Sequence, residues 1–394
     1  MSDVGLRHST AKGITLVYAQ ILPVMAIASL FPAIPRLFAH FGGMPYGNLL
    51  VPMIVTVPAL FVALTAPFAG MLADRFGRRR TFVGGMILYV VAGLVPLLTA
   101  DLYAIVGSRM VLGVAEAFVV TVSSALIGDY YGEQRHKWVA QVGIWITIIG
   151  ALLLVAGGAL ADISWRGPFA IYLAVIPGAI MAWLYIEEPS ETATRVDNEP
   201  GAPFPWRAAW LIGSVTLVTS LIYYVEPLNY AAVVTLLGVK LGATIGLTQA
   251  FTTVGYITGA FVYRRLHAWP VTLHLGFAGL AIGLGVGIMG VTHTFTAAII
   301  GGIVQQFGAG LVIPALMAWA QNLLPIAQRG RGMGIWVTTF FTGMFLCPPM
   351  ITGLSVLGGG LQPALAAIGL IAIVLALITF AVGMRQRQSR LSSL

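Results

Sequence analysis

The chain has 394 residues, of which 58% are hydrophobic and only 9% are charged. About a quarter of a soluble domain is charged, so a soluble enzyme, a disordered protein and a nucleic-acid-binding domain are excluded as its main body, and lipid is the solvent that suits it. The net charge of +8 then reports orientation in a membrane, not a nucleic-acid partner, and the single cysteine, Cys347, excludes an intrachain disulfide, a CxxC redox pair and a thiolate zinc site.

Met1 to Lys12 carries no cleavage-site pattern, and the apolar run that follows outlasts a signal-peptide core, so it reads as a first span. A helix needs about 20 apolar residues to cross a bilayer. Runs of that kind lie near 13–38, 48–72, 81–99, 103–128, 138–160 and 167–186. Six more lie near 208–234, 243–263, 271–290, 295–321, 333–355 and 362–384. None shows the period-two alternation of an outer-membrane barrel. The stretch 187–207 is polar, with Glu187, Glu188, Pro189, Pro200 and Pro203, and reads as a connecting surface loop. The chain therefore divides into a bundle at 1–186, a linker at 187–207 and a bundle at 208–394.

Lys and Arg placement sets the orientation. Arg7, Lys12, Arg75, Arg78, Arg79, Arg80, Arg135, Lys137, Arg195, Arg207, Arg264, Arg265, Arg329, Arg331, Arg385, Arg387 and Arg390 fall on one side. Arg36, Arg166 and Lys240 fall on the other, and Arg109 lies inside a span. Both termini and the linker are thus expected in the cytoplasm. Short loops point to a plasma membrane, of the bacterial inner-membrane kind.

The halves echo each other. Phe31-Pro32 closes span 1 and Glu226-Pro227 closes span 7, each with a glycine (Gly43, Gly238) eleven residues after the proline. Gly70 to Arg75 after span 2 matches Gly259 to Arg264 after span 8. Gln134-Arg135 before span 5 matches Gln328-Arg329 before span 11. Three landmarks in one order argue for a six-plus-six duplication, the architecture of a rocking-bundle transporter.

Gly70-Met71-Leu72-Ala73-Asp74-Arg75-Phe76-Gly77-Arg78-Arg79-Arg80 resembles the loop signature of the major facilitator superfamily. Arg109-x-x-x-Gly113-x-x-x-Ala117 is similar to that family's second motif, and Trp165 to Phe169 also fits. With the span count and the repeat, the resemblance covers essentially the whole chain. It implies an all-α membrane protein of twelve transmembrane helices, in two pseudo-symmetric six-helix bundles around a central cavity, working by alternating access. Within the superfamily the chain is most similar to the twelve-span drug–proton antiporters, in its length and in Leu30 to Pro35. Gly157-Gly158 of their span-5 signature is present, with Leu153-Leu154 where they carry Gly-Pro. Leu112 to Ala117 is instead similar to span 4 of the proton-coupled organic-anion symporters, whose span-1 Asp-Arg pair this chain lacks.

The residues of the turn at 70–80 form a gating motif: Gly70, Asp74, Arg75, Gly77 and Arg78. Its arginines hold the orientation. Asp74, near a helix terminus, can accept from a neighbouring helix N-terminus and pair with Arg75 or Arg78. The resemblance makes this contact a cytoplasmic latch of the outward-facing state, and Tyr263 in place of an acid leaves the second copy weak.

A charge inside a span costs on the order of 3 kcal/mol or more, so it rarely sits there idly. Arg109 and Glu116 are seven residues apart, on one helix face and about 10 Å apart along the axis. An apolar cavity disfavours a carboxylate and a nearby guanidinium favours it. That tension suits a proton carrier, with Glu116 as the proton site and Arg109 as its tuner, against a static structural pair. Glu226 falls near the outer end of span 7, where it is either a second proton or cation site or a snorkelling surface acid. Pro227 should kink or break that span. Tyr223, Tyr224, Asn229 and Tyr230 surround Glu226 as ligand contacts or as an interfacial belt. Gln20, Trp145, Gln305, Gln306 and Trp336 are further substrate-contact candidates, each equally able to tie helices together. His274 and His293, near span ends, read as surface residues. Gly283, Gly285 and Gly287 sit inside an apolar span and read as close helix packing, not a nucleotide loop.

No Walker lysine motif, Ser/His/Asp set or metal-ligand constellation appears, so no enzyme, cofactor or metal is expected. The function expected is secondary active transport, as proton-coupled export of small amphipathic or drug-like compounds by a monomer. The alternative is proton-coupled uptake of an organic anion or other specific solute, with Arg109 binding the carboxylate.

Overall fold

The computed structural model describes residues 3–189, 204–325 and 328–392. Linker residues 190–203, Arg195 among them, lie outside the described residues, as do the side chains of Arg7, Arg329, Arg387 and Arg390. Apolar sequence in lipid must satisfy every backbone group within its own segment, which leaves helices as the solution for runs of this composition. Fourteen α-helices form among the described residues, and no strand. They are α1 (Asp3–Ala28), α2 (Ile34–Phe41), α3 (Gly47–Phe76), α4 (Arg78–Leu98), α5 (Leu102–Tyr131), α6 (Arg135–Ile163), α7 (Val175–Tyr185), α8 (Trp206–Tyr223), α9 (Val225–Leu236), α10 (Gly242–Leu266), α11 (Val271–Val291), α12 (Phe295–Leu323), α13 (Arg329–Gly358) and α14 (Leu361–Ser392).

Twelve stretches among the described residues are long and apolar enough to cross a membrane. They fall where the sequence places them, extended by a few residues at most ends. The first joins α1 to α2 through a short 3-10 turn at Phe31–Ala33, and the seventh joins α8 to α9. These two interruptions are the matched proline landmarks of the two halves.

The chain divides into two units, Met1–Ala202 and Pro203–Leu394. In the first, α3 and α4 pack on α5, α1 packs on α6, and α4 on α7. In the second, α10 and α11 pack on α12, α8 packs on α13, and α11 on α14. Numbered by span, each pairing in one unit has its counterpart in the other. The repeat seen in scattered residues is therefore a repeat of packing.

Small residues let the helices approach. Gly113 of α5 lies against the backbone of Pro58 in α3, and Gly255 and Gly259 of α10 against the carbonyls of Ile303 and Phe307 in α12. Gly283 and Gly285 of α11 lie against α14 and α12, the close packing expected of that glycine run. In the first unit, Gly157 of α6 sits on the carbonyl of Ser29, beside the break in span 1. A methyl at 157 overlaps that carbonyl, so Gly157→Ala should destabilise the protein by about 1–3 kcal/mol. Gly143→Ala on the same helix meets nothing within 4 Å and should leave stability unchanged or raised. Thermal melting of the purified protein compares the two.

Candidate functional site

The turn at 70–80 ties together one end of the first unit. Gly77, with φ of 94°, lets the chain pass from α3 directly into α4, a conformation that favours glycine. The first backbone donors of α4 have no helical acceptor. Glu188, just beyond α7, supplies one: its carboxylate accepts from Arg78 N at 2.6 Å and Arg79 N at 3.0 Å. The Arg78 guanidinium pairs with Asp129 at the end of α5, and more loosely with Asp74 at 3.4 Å. Arg79 donates to the carbonyl of Trp183 at 3.1 Å, and Lys12 pairs with Glu187 at 2.7 Å.

Two expectations are corrected here. The acid at the α4 N-terminus is Glu188, not Asp74, because Glu188 comes in on the axis of α4 while the Asp74 side chain is 61% exposed. Glu187 and Glu188 are not free linker but fold back onto the first unit. Asp129, just past the run at 103–128, went unnoticed in the sequence, and Glu188 was read only as part of an acidic connecting stretch. The signal that would have found them is charge balance: a run of arginines at 75–80 needs more acids than Asp74.

Deeper in the same unit, Arg109 is fully buried. Its Nη2 donates to the carbonyls of Ala92 and Gly93 in α4, both at 3.1 Å. The guanidinium lies over the rings of Tyr172 at 4.9 Å and Phe169 at 5.3 Å. Ala92 stands four residues before Pro96, which lies inside α4. Proline has no N–H, so the Ala92 carbonyl lacks its helical donor, and Arg109 provides one. Glu116 is also buried, on the same helix, with its Oε2 lacking a hydrogen-bond partner. Among the described residues no ion pair joins it to Arg109. The tuning pair expected from their spacing is thus corrected: a shared helix face does not bring them into contact, because Arg109 reaches across to α4.

The second unit repeats the device with other residues. Its single carboxylate by sequence is Glu226, fully buried at the start of α9. The surface-acid reading of Glu226 is therefore corrected: helices α10 and α12 close over it. Gln306 Nε2 donates to Oε2 at 2.6 Å and Thr252 Oγ1 to Oε1 at 3.4 Å. Pro227 strips the donor from the carbonyl of Tyr223, and Gln305 Nε2 supplies it at 2.9 Å. Gln249 Nε2 donates to the Pro227 carbonyl at 3.0 Å. Gln305 and Gln306 are thus helix ties by geometry, adjacent in sequence and turned to different partners.

The predicted contacts around Glu226 come together only in part. Tyr223 and Tyr224 each pack on Phe340 of α13 at 5.4 Å, and Trp336 stacks on Phe340 at 5.3 Å. Phe340 was not singled out in the sequence, and it organises the aromatic group. The tyrosine cage around the acid is corrected to an aromatic cluster beside it. Asn229 donates to the Val225 carbonyl of its own helix at 2.8 Å.

In the first unit, Gln20 fastens α1 to α5, donating to the Val120 carbonyl at 3.0 Å, Ser123 Oγ at 2.8 Å and Ser124 Oγ at 2.7 Å. Trp145 lines a cavity of about 940 Å³ with Tyr18, Met25, Trp138, Gln141 and Leu153. His274 is buried, not at the surface, while His293 is exposed. Packing of α11 against α12 and α14 encloses His274, which lies one turn inside the helix.

The major facilitator superfamily model matches residues 16–297. The chain belongs to that superfamily. Members of that superfamily are integral membrane transporters, not enzymes. The chain is 31% identical over 164 residues to the drug efflux pump JefA of Mycobacterium tuberculosis, a match that spans 41% of this chain and only 30% of that pump. It is 25% identical over 361 residues to an uncharacterized transporter of the same superfamily from Pseudomonas aeruginosa, covering 84% of this chain and 85% of that one. Among solved structures, a bacterial homologue of the human lysosomal transporter Spinster, inward-facing and unoccupied, shares the fold with a TM-score of 0.74 at 16% identity, over 98% of this chain and 99% of that one.

The two acids on Arg78 should differ in weight. Asp129, whose side chain is 13% exposed, should couple to Arg78 by about 1–3 kcal/mol, as hydrogen bonds to charged groups do. Asp74, 61% exposed, should contribute under about 0.5 kcal/mol. Double-mutant cycles on the melting of Arg78→Gln, Asp129→Asn and Asp74→Asn measure both.

Proposed function

We propose that the protein is a proton-driven exporter of small amphipathic compounds working by alternating access. The observation that carries this reading is Glu116: a carboxyl buried inside a span with an oxygen that no protein group satisfies. An uncompensated carboxylate at membrane depth is costly. The charge on Glu116 is therefore coupled to how far the surrounding helices open. That coupling converts a proton gradient into a bias between conformations. Glu226 is the buried acid of the second unit, at the break in span 7, where movement of α9 against α10 and α12 alters its donors.

Export of amphipathic compounds is supported by the efflux role of the partial relative JefA and by the apolar, tryptophan-lined cavity beside Trp145. Uptake of an organic anion would need a guanidinium free for a carboxylate. Arg109 is fully buried, with its Nη2 held by two carbonyls and its plane covered by two rings, while its Nε and Nη1 have no partner; the uptake arm of the test below separates the two readings. The ion pairs at Arg78 and the acid on the α4 N-terminus act in this reading as a latch of the outward-facing state. The Lys and Arg asymmetry supports a cytoplasmic side for that latch and for both termini in this reading.

The test is accumulation of dyes and antibiotics in cells lacking their own pumps. Expression of the protein should lower accumulation. Glu116→Gln, expressed at the same level, should abolish the effect, as should collapse of the proton gradient. Glu226→Gln should weaken it. Efflux that survives both Glu116→Gln and gradient collapse would overturn proton coupling, and raised uptake of an anion would overturn export.

A further inference from the structure

The second unit has an open-mouthed cavity at the end of the bundle where α10 turns into α11. A cavity of about 700 Å³ is lined there by Tyr263, Trp269, His274, Trp319 and Asn322, among others. That volume lies within the range of small-molecule sites, about 300–1,000 Å³. The place is the counterpart, by the repeat, of the charged turn of the first unit. There a cavity of about 490 Å³ is lined by charged groups, among them Asp74, Arg78, Asp129 and Glu188. Here Tyr263 stands where Asp74 stands, and the space is walled by rings.

His274 gives the cavity a polar demand. Its Nδ1 lies 3.3 Å from the Pro270 carbonyl. A carbonyl only accepts, so Nδ1 carries the hydrogen and Nε2 presents a bare lone pair. The residue is 3% exposed; the backbones of Leu266 and Trp269 also lie against the imidazole, and Nε2 makes no hydrogen bond of good geometry with them. Tyr263 lies 5.0 Å from the imidazole and Trp269 6.4 Å from it, both tilted. A buried acceptor flanked by aromatic faces asks for a flat molecule that brings a donor. Charge narrows the choice further. The second unit holds no carboxylate except Glu226, and Arg264 and Arg265 end α10 beside the cavity. A cation finds no counter-charge here.

We propose that this cavity binds a planar aromatic molecule, neutral or anionic, whose ring N–H or phenolic O–H donates to His274 Nε2. The site is separate from the buried acids proposed for proton coupling. A ligand in it stiffens the α10–α11 turn as the ion pairs stiffen the equivalent turn of the first unit.

The experiment uses the full chain in lipid nanodiscs and two probes of nearly equal shape, indole and benzothiophene. Indole has the N–H and benzothiophene lacks it. Equilibrium dialysis should show saturable binding of one indole per chain, with benzothiophene about tenfold weaker, the size of an acceptor left unpaired. His274→Phe should weaken indole about tenfold, while His274→Gln, which keeps an acceptor, should retain most of the binding. Glu226→Gln should leave it unchanged. Equal binding of the two probes to the wild type would overturn the proposal without recourse to any variant. So would indole binding lost in Glu226→Gln, which would place it in the transport path. Binding seen in detergent but absent in nanodiscs would also overturn it, with a lipid headgroup as the occupant.

Discussion

A proline inside a membrane-spanning helix leaves the carbonyl four residues earlier without a donor, and in lipid no water replaces it. Two such carbonyls organise this protein. Ala92, before Pro96, takes its hydrogen bond from Arg109, and Tyr223, before Pro227, takes its from Gln305. The donors come from α5 and α12, which are the fourth span of each unit. Each of these helices packs chiefly on the second and third spans of its own unit. The fourth span of each half therefore carries a polar side chain that repairs a proline break in another span, and each of these two breaks is fixed by a named contact.

The repair uses an arginine in one unit and a glutamine in the other, and this difference propagates. Arg109 brings a full positive charge into the first unit, where aromatic faces of Phe169 and Tyr172 cover it and Glu116 lies further along the same helix. Gln305 brings no charge. The acid of the second unit is then satisfied by neutral donors, Gln306 and Thr252, and sits directly at the break. The ends of the units diverge in the same sense: ion pairs close the turn after α3, and rings surround the turn after α10. Both units keep one packing plan while the first is held by charge and the second by amides and aromatics.

Most of the fold was legible in the sequence because the governing quantity, apolar length, is a property of consecutive residues. The break at Pro227 was readable too, whereas Phe31-Pro32 read as the close of span 1 and is a break within it. The site was less so, because its contacts join residues that no spacing rule connects. Helical spacing correctly put Arg109 and Glu116 on one face, but side-chain reach decided their partners, and an arginine is long enough to leave its own helix. Composition marked Glu187 and Glu188 as linker, although the unpaired donors at the start of α4 were waiting for an acid. The prolines were the missed signal. Each announces an orphaned carbonyl at a known position, and each polar residue buried in a neighbouring span is a candidate to answer it. Pro96 with Arg109 and Pro227 with Gln305 could have been matched on that rule alone.

That matching also bears on how function and structure divide among the buried polar groups. A group whose hydrogen bonds all end on backbone carbonyls is fixed by the fold, and removing it breaks the helix it repairs. The hydrogen bonds described for Arg109, Gln305 and Gln249 are of this kind. Glu116 is the opposite case, a strong acceptor without a donor, and Glu226 is intermediate, held by two side chains that can turn away. The groups free to change state during a cycle are those not already committed to the backbone. By this criterion the two acids are the groups on which the proposed proton coupling rests.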